Sequence, residues 1–217
     1  GIKQACLFLD YPVVSGNVSF YNGTNQKNIN PTPVIGGVGL INKLSKPLGL
    51  NFKQENSIIL LIGKTFGHLE QSCFLKENYS IIDGAPPEIN LLNEKNNGEN
   101  VLKLIQNDLV LSAHDISSGG LIVALSEMAI SSMYGIKIQK PKKLNNLFEY
   151  FFGEDQGRYL LEIDINKIER IEKILKDNNI YYENVGITQK DNFEINGELK
   201  INIKDLYKIN NEWYNKY

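Results

Sequence analysis

The chain predicts an α/β (α+β) domain preceded by a short tail that cannot fold as a domain by itself. Three observations carry this expectation. From residue 56 onward, apolar runs of strand length alternate with amphipathic stretches of helical period. The run Ile58-Ile59-Leu60-Leu61-Ile62 is apolar at every position, as a strand buried on both faces requires. Asn196-Gly197, set between two strand-like runs, is the signal of a tight hairpin turn.

Taken in order, residues 2–9 read as the end of a helix. Pro12-Val13-Val14 and Val18-Ser19-Phe20 are short strand-like runs around Ser15-Gly16-Asn17, a turn by composition. Residues 23–30 form a polar loop, and 32–41 read as a long strand relieved by glycines. The stretch 42–55 contains Pro47 and Gly49 and lacks a period, so it serves as the connection between domains spanning 1–45 and 46–217. Beyond it, 57–63 predicts a strand, 88–106 a helix with a break at Gly98 left open, and 109–113 another strand. In the helix starting at Gly119, Leu121, Leu125, Met128, Ala129 and Ser132 fall at i, i+4, i+7, i+8 and i+11 and make one buried face. Gly135 is expected to close it. Residues 159–165 predict a strand, 167–176 a helix and 181–187 a strand. The hairpin pairs 192–195 with 199–203. Residues 204–217 predict a last helix whose packed face carries Trp213, Tyr207, Tyr214 and Tyr217.

Composition excludes several classes. The 217 residues are 42% hydrophobic, enough for a real core. No apolar run approaches the ~18 residues of a membrane helix, and no secretory leader is visible. Cys6 and Cys73 stand alone, which argues for a reducing, cytoplasmic setting and against a disulfide framework or a zinc site. The net charge of −2 with scattered signs offers no basic stripe for nucleic acid.

The most informative segment is Ala113-His114-Asp115-Ile116-Ser117-Ser118-Gly119-Gly120-Leu121. A strand ends, polar residues turn the chain, and two glycines leave the amides of a new helix uncovered. Such a terminus suits a phosphate or a carboxylate. The competing reading is a capped helix, with Asp115, Ser117 or Ser118 satisfying those amides. His114 and Asp115 tempt a general acid/base reading, but neighbours on an extended strand point to opposite sides, so local backbone bonding is favoured. Glu154-Asp155-Gln156 could coordinate magnesium or bind a polar substrate; otherwise it is a polar loop with Arg158 paired to a nearby acid. Gly63-Lys64-Thr65 lacks the upstream glycine of a phosphate-binding loop, since position 58 is Ile. His68 reads as a solvated loop residue.

A set of motifs in fixed order adds to this. Residues 12–24 read Pro-Val-Val-Ser-Gly-Asn-Val-Ser-Phe-Tyr-Asn-Gly-Thr, and 31–39 read Pro-Thr-Pro-Val-Ile-Gly-Gly-Val-Gly. With Ala113–Leu121, Ala85-Pro86-Pro87-Glu88-Ile89-Asn90-Leu91, Phe152-Gly153-Glu154-Asp155-Gln156-Gly157-Arg158-Tyr159 and Glu212-Trp213, the chain resembles the C-terminal part of the phosphoribosylformylglycinamidine synthases. These belong to the aminoimidazole ribonucleotide synthetase superfamily. The resemblance implies the tail of a second N-type, barrel-forming domain (1–45) followed by an aminoimidazole ribonucleotide synthetase C-terminal-type domain (46–217).

The activity so implied is ATP-dependent amidation of formylglycinamide ribonucleotide, with magnesium, in purine synthesis. Ammonia would come from a glutaminase domain or subunit. By the same resemblance Gly16 lines the ATP site, Asn17 helps to hold magnesium and Ser19 touches the ribonucleotide substrate. No catalytic residue is expected in this portion, and Gly119 and Gly120 are candidates for an auxiliary phosphate site. The resemblance departs in two places: Asp155 stands where the first such domain uses Ser, and the Gly-Gly-Ser usual after Leu69 is missing. Partners implied are the remaining N-terminal portion of the enzyme, the ammonia source, or a second copy meeting the apolar face of the N-type tail. The rival readings are a sister enzyme making selenophosphate or closing the imidazole ring, and a non-catalytic nucleotide-binding scaffold.

Overall fold

The computed structural model describes residues 1–18, 22–41, 47–141 and 146–214. They divide into two units, Gly1–Pro47 and Leu48–Tyr217. No helix among the described residues is long and apolar enough to cross a membrane.

The first unit opens with helix α1 (Ile2–Phe8), as its apolar start predicts. Where a polar loop is expected, strands β1 (Gly23–Thr24) and β2 (Lys27–Asn28) form a minimal hairpin. Asn25 and Gln26 at its tip both take positive φ, 51° and 64°, the twist that a two-residue turn demands. The long strand expected over 32–41 is absent. Its side chains have the right character, but among the described residues no strand pairs with it, and Val34, Val38 and Leu40 stand 92%, 91% and 92% exposed. Residues 12–18 are likewise without strand pairing. The first of these segments is tied to Tyr11, just before the second, where the Val38 amide donates to Tyr11 Oη at 3.0 Å. A side chain at Gly37 would lie 2.6 Å from that same oxygen.

The second unit contains, in order, β3 (Ile58–Ile62), α2 (Cys73–Tyr79), α3 (Leu91–Gln106), β4 (Ser112–Asp115), α4 (Gly120–Ser132), β5 (Gly135–Ile138) and α5 (Leu147–Phe152). There follow β6 (Tyr159–Ile163), α6 (Ile168–Asp177), β7 (Tyr182–Gln189), β8 (Asn192–Ile195), β9 (Leu199–Asn202) and α7 (Ile203–Glu212). The strands make one sheet in the order β4-β6-β3-β7-β5-β8-β9, antiparallel throughout except between β5 and β8.

Strand β3 explains the layers. Ile59 and Leu61 face a core with α4 and α5, and Ile58, Leu60 and Ile62 face a second core with α3 and α6. Alternation therefore feeds both faces from one apolar run. The other half of the sheet is covered on one face only. There Ile136, Ile138, Phe193 and Ile195 point inward, while Lys137, Glu194 and Lys200 form a cross-strand charge ladder at 3.6 Å for each pair.

Several expectations shift. Helix α3 runs unbroken through Gly98 from its cap, Asn90, whose side chain accepts from the Asn93 amide. Helix α4 ends on Met133 in the left-handed region, and Gly135 instead opens β5. A Cβ at Gly135 would lie 2.0 Å from the Asn192 carbonyl, so the glycine serves strand approach rather than helix closure. The hairpin loop has three residues, with Gly197 (φ 79°) at the left-handed position. Trp213 and Tyr214 are not packed on the last helix: they are 60% and 73% exposed, with their rings edge to face. Tyr217 lies outside the described residues. Helices α2 and α5 are too short to show a period, but Ser72 and Asn146 cap them as their types allow.

Residues 48–55 are more than a connection. Phe52 is buried in the α4-side core. Glu162, fully buried on β6, accepts from the Lys53 amide at 2.9 Å, the Gln54 amide at 3.3 Å and Ser112 Oγ at 2.8 Å. The Gly49 carbonyl accepts from Ala113 and thereby blunts the β4 edge of the sheet.

Candidate functional site

The polar centre of the second unit lies where the loop after β3, the turn before α4 and the loop before β6 converge. Gly63 ends β3 at φ 93°, and a Cβ there would be 2.7 Å from the Gly157 carbonyl. The loops can touch only because this position is bare. Arg158 enters next, with its side chain fully buried. Its Nε donates to the Asp155 carbonyl at 3.1 Å, Nη1 to Thr65 Oγ1 at 3.1 Å, and Nη2 to the Gly153 carbonyl at 2.5 Å. Burial lowers the guanidinium's pKa, and Asp155, 4.0 Å away, opposes that shift. Thr65 thus serves Arg158.

The adjacent carboxylates hold backbone. Asp155, 4% exposed, accepts from the Phe66 and Gly67 amides at 2.9 Å through Oδ2 and from the His68 amide at 3.2 Å through Oδ1. Glu154 Oε1 accepts from the Cys73 amide at 2.8 Å and the Gly119 amide at 2.7 Å. The Gly120 amide donates to the Ser117 carbonyl at 3.1 Å. Both amides offered as an auxiliary phosphate site therefore have acceptors within the chain. Gly120 (φ 71°) is required for another reason: a Cβ would lie 2.7 Å from the Gly153 carbonyl oxygen and from the Phe152 carbonyl carbon. Asp155 faces the Arg158 guanidinium at 4.0 Å, the pairing that the polar-loop reading expects, and the N-cap, Gly119, has no side-chain capping bond.

Beside this knot lies a cleft of about 780 Å³ lined by His68, Glu70, Glu88, Glu94, Glu149 and Gln156, among others. Burial raises the pKa of Glu94. His68 stays in the loop expected of it, with Nε2 2.8 Å from the Ala85 carbonyl in an exposed contact. His114 departs from expectation. Its Nδ1 lies 3.2 Å from Asp115 Oδ1 and its Nε2 2.9 Å from Glu127 Oε2, so it bridges two carboxylates rather than backbone. Asp115 is the last residue of β4, where strand alternation no longer separates neighbours.

In the first unit, Gly16 and Asn17 lie together in the exposed stretch 12–18. Apart from its chain neighbours, no atom comes within 4 Å of where a Gly16 Cβ would stand. Asn17 contributes an amide oxygen of the kind a hard cation accepts. Ser19 lies outside the described residues. A second cavity of about 510 Å³, mostly apolar, is lined by Tyr11, Val13, Ser15, Val34 and Val38, among others. Among the described residues no group of three or more His, Cys, Asp or Glu could hold a metal ion. A magnesium ion here would therefore need ligands beyond a bare Gly16 backbone and the neutral Asn17 side chain.

Residues 53–196 match the family model for the AIR synthase related protein, C-terminal domain. The chain belongs to this family. Over 217 residues, 100% of its length, it is 47% identical to the phosphoribosylformylglycinamidine synthase subunit PurL of Pelagibacter ubique (strain HTCC1062). It spans 30% of that relative's length. Two solved structures share the fold. T. maritima PurL complexed with FGAR aligns at TM-score 0.59 and 18% identity, over 74% of this chain and 29% of that one. The same protein complexed with ATP aligns at 0.56 and 16%, over 74% and 27%. The AIR synthase C-terminal match begins at Lys53, whose amide Glu162 holds, and ends on the hairpin loop at Asn196. Strand β9 and α7 lie outside it.

Glu162 is the residue that sequence reasoning passed over. A single acid at the fourth place of the apolar strand Tyr159-Leu160-Leu161-Glu162-Ile163 was the available signal, because a carboxylate buried there must be satisfied by hydrogen bonds.

Proposed function

We propose that the chain is the C-terminal portion of a phosphoribosylformylglycinamidine synthase large or catalytic chain, with residues 1–45 ending its second N-type domain and 46–217 forming its second C-type domain. The single observation that supports this most is the 47% identity to a PurL subunit along the entire chain, motif segments included. The reaction is amidation of formylglycinamide ribonucleotide by ammonia from a glutaminase domain or subunit, in the cytoplasm. Mg·ATP supplies the phosphoryl group that makes the amide oxygen a leaving group. The open Gly16 backbone admits the phosphates, Asn17 gives magnesium one neutral ligand, and Ser19 holds the ribonucleotide. A transferring phosphoryl group is stabilised by such fixed dipoles and cations, so no protein nucleophile is required.

The remaining magnesium ligands and the acid/base group come from the rest of the enzyme, and the isolated chain is inactive. The engaged Gly119 and Gly120 amides weigh against the auxiliary phosphate site at the start of α4.

The test is phosphate release from Mg·ATP with formylglycinamide ribonucleotide and ammonia, for the chain alone and combined with the remaining portion of PurL. Release only in the combination is expected. Turnover by the chain alone, or by a combination that accepts only selenide or the next pathway intermediate, overturns the reading.

A further inference from the structure

We infer that the turn at the start of α4 is an anion cradle already filled by the protein's own Glu154 carboxylate, which locks three segments together and closes the turn to phosphate. Helix α4 has 13 residues, enough for its N-terminus to favour negative charge. The group occupying that terminus is a carboxylate oxygen, 2.7 Å from the Gly119 amide and 2.8 Å from the Cys73 amide.

Two features make the carboxylate a built-in occupant rather than a passing contact. The backbone that carries Glu154 is fixed independently of its side chain. The Glu154 amide donates to the His68 carbonyl at 2.9 Å, and Arg158 grips the carbonyls of Gly153 and Asp155 from within the core. The cradle is also fixed from below. Gly120 rests against the backbone of Phe151, Phe152 and Gly153 with no room for a side chain, so α4 and the Glu154 loop hold one relative position. A charge-assisted bond between two rigid parts is formed without further ordering. A phosphate oxygen reaching Gly119 must expel Glu154, and that also releases the Cys73 amide at the start of α2. Glu154 is thus a positioning residue, and the double glycine serves packing and this internal bond.

The experiment follows the Gly119 and Cys73 amide resonances of the 217-residue chain during titration with inorganic phosphate and with formate. In the unaltered chain neither resonance shifts saturably with phosphate, and both amides exchange slowly. In Glu154→Ala both exchange about tenfold faster or more, and formate restores protection saturably. A saturable phosphate shift in the unaltered chain overturns the inference, as does a folded Glu154→Ala whose amide exchange is unchanged. If Glu154→Ala does not fold, Glu154→Gln keeps a carbonyl acceptor while removing the charge. Faster exchange at both amides in that variant supports the inference, and unaltered exchange overturns it.

Discussion

Buried acids decide most of what single residues do here. Glu162→Ala removes the acceptor of two backbone amides and the Ser112 hydroxyl at a fully buried position, and is expected to cost roughly 2–4 kcal/mol in chemical denaturation. Glu183 makes the opposite contribution. Burial raises its pKa, against the lowering by its Tyr150 hydrogen bond and by Arg158. The folded chain therefore binds more protons than the unfolded chain from the ordinary carboxylate range upward, so stability falls as pH rises through that window. Relative to Glu183→Gln, which does not titrate, the unaltered chain should gain thermal stability as pH drops from 7 toward 4.5. A constant difference in melting temperature contradicts that sign. At this scale the sequence was only half legible. Glu154-Asp155-Gln156 stands out as a carboxylate pair, but the amides it holds at Phe66, Gly67, His68, Cys73 and Gly119 are 35 to 89 positions away, beyond any spacing rule.

At the scale of elements, glycines with the same letter do different work. Gly120→Ala forces a Cβ against the 151–153 backbone from a positive φ and should destabilise by at least about 2 kcal/mol. Gly98→Ala sits inside α3, with Tyr159 Oη at 3.5 Å as its nearest neighbour, and should stabilise by roughly 0.5–1 kcal/mol. Urea denaturation of both variants checks the pair, and equal effects would contradict the distinction. Elements with a clear apolar run or period (α4, α6, β3, β6, β7) are visible in the sequence because burial on one or two faces writes itself into residue order. The stretch 32–41 has a strand's composition and no strand, since pairing requires a neighbour and composition cannot provide one. Helix α2 and helix α5, seven and six residues long, are legible only from their caps.

For the molecule as a whole, a double-sided β3, a one-sided outer sheet and a buried polar knot build the second unit, which matches the AIR synthase C-terminal family. The first unit carries the bare Gly16 backbone and Asn17. The chain matches 30% of the length of the Pelagibacter ubique PurL, and the proposed reaction is that of the larger enzyme. The most direct measurement replaces the matching segment of that PurL by this chain and follows phosphate release from Mg·ATP with formylglycinamide ribonucleotide and ammonia. The account predicts substrate-dependent release by the folded chimera that falls roughly a hundredfold on Asn17→Ala. A folded chimera that releases no phosphate, or one indifferent to Asn17→Ala, would contradict it.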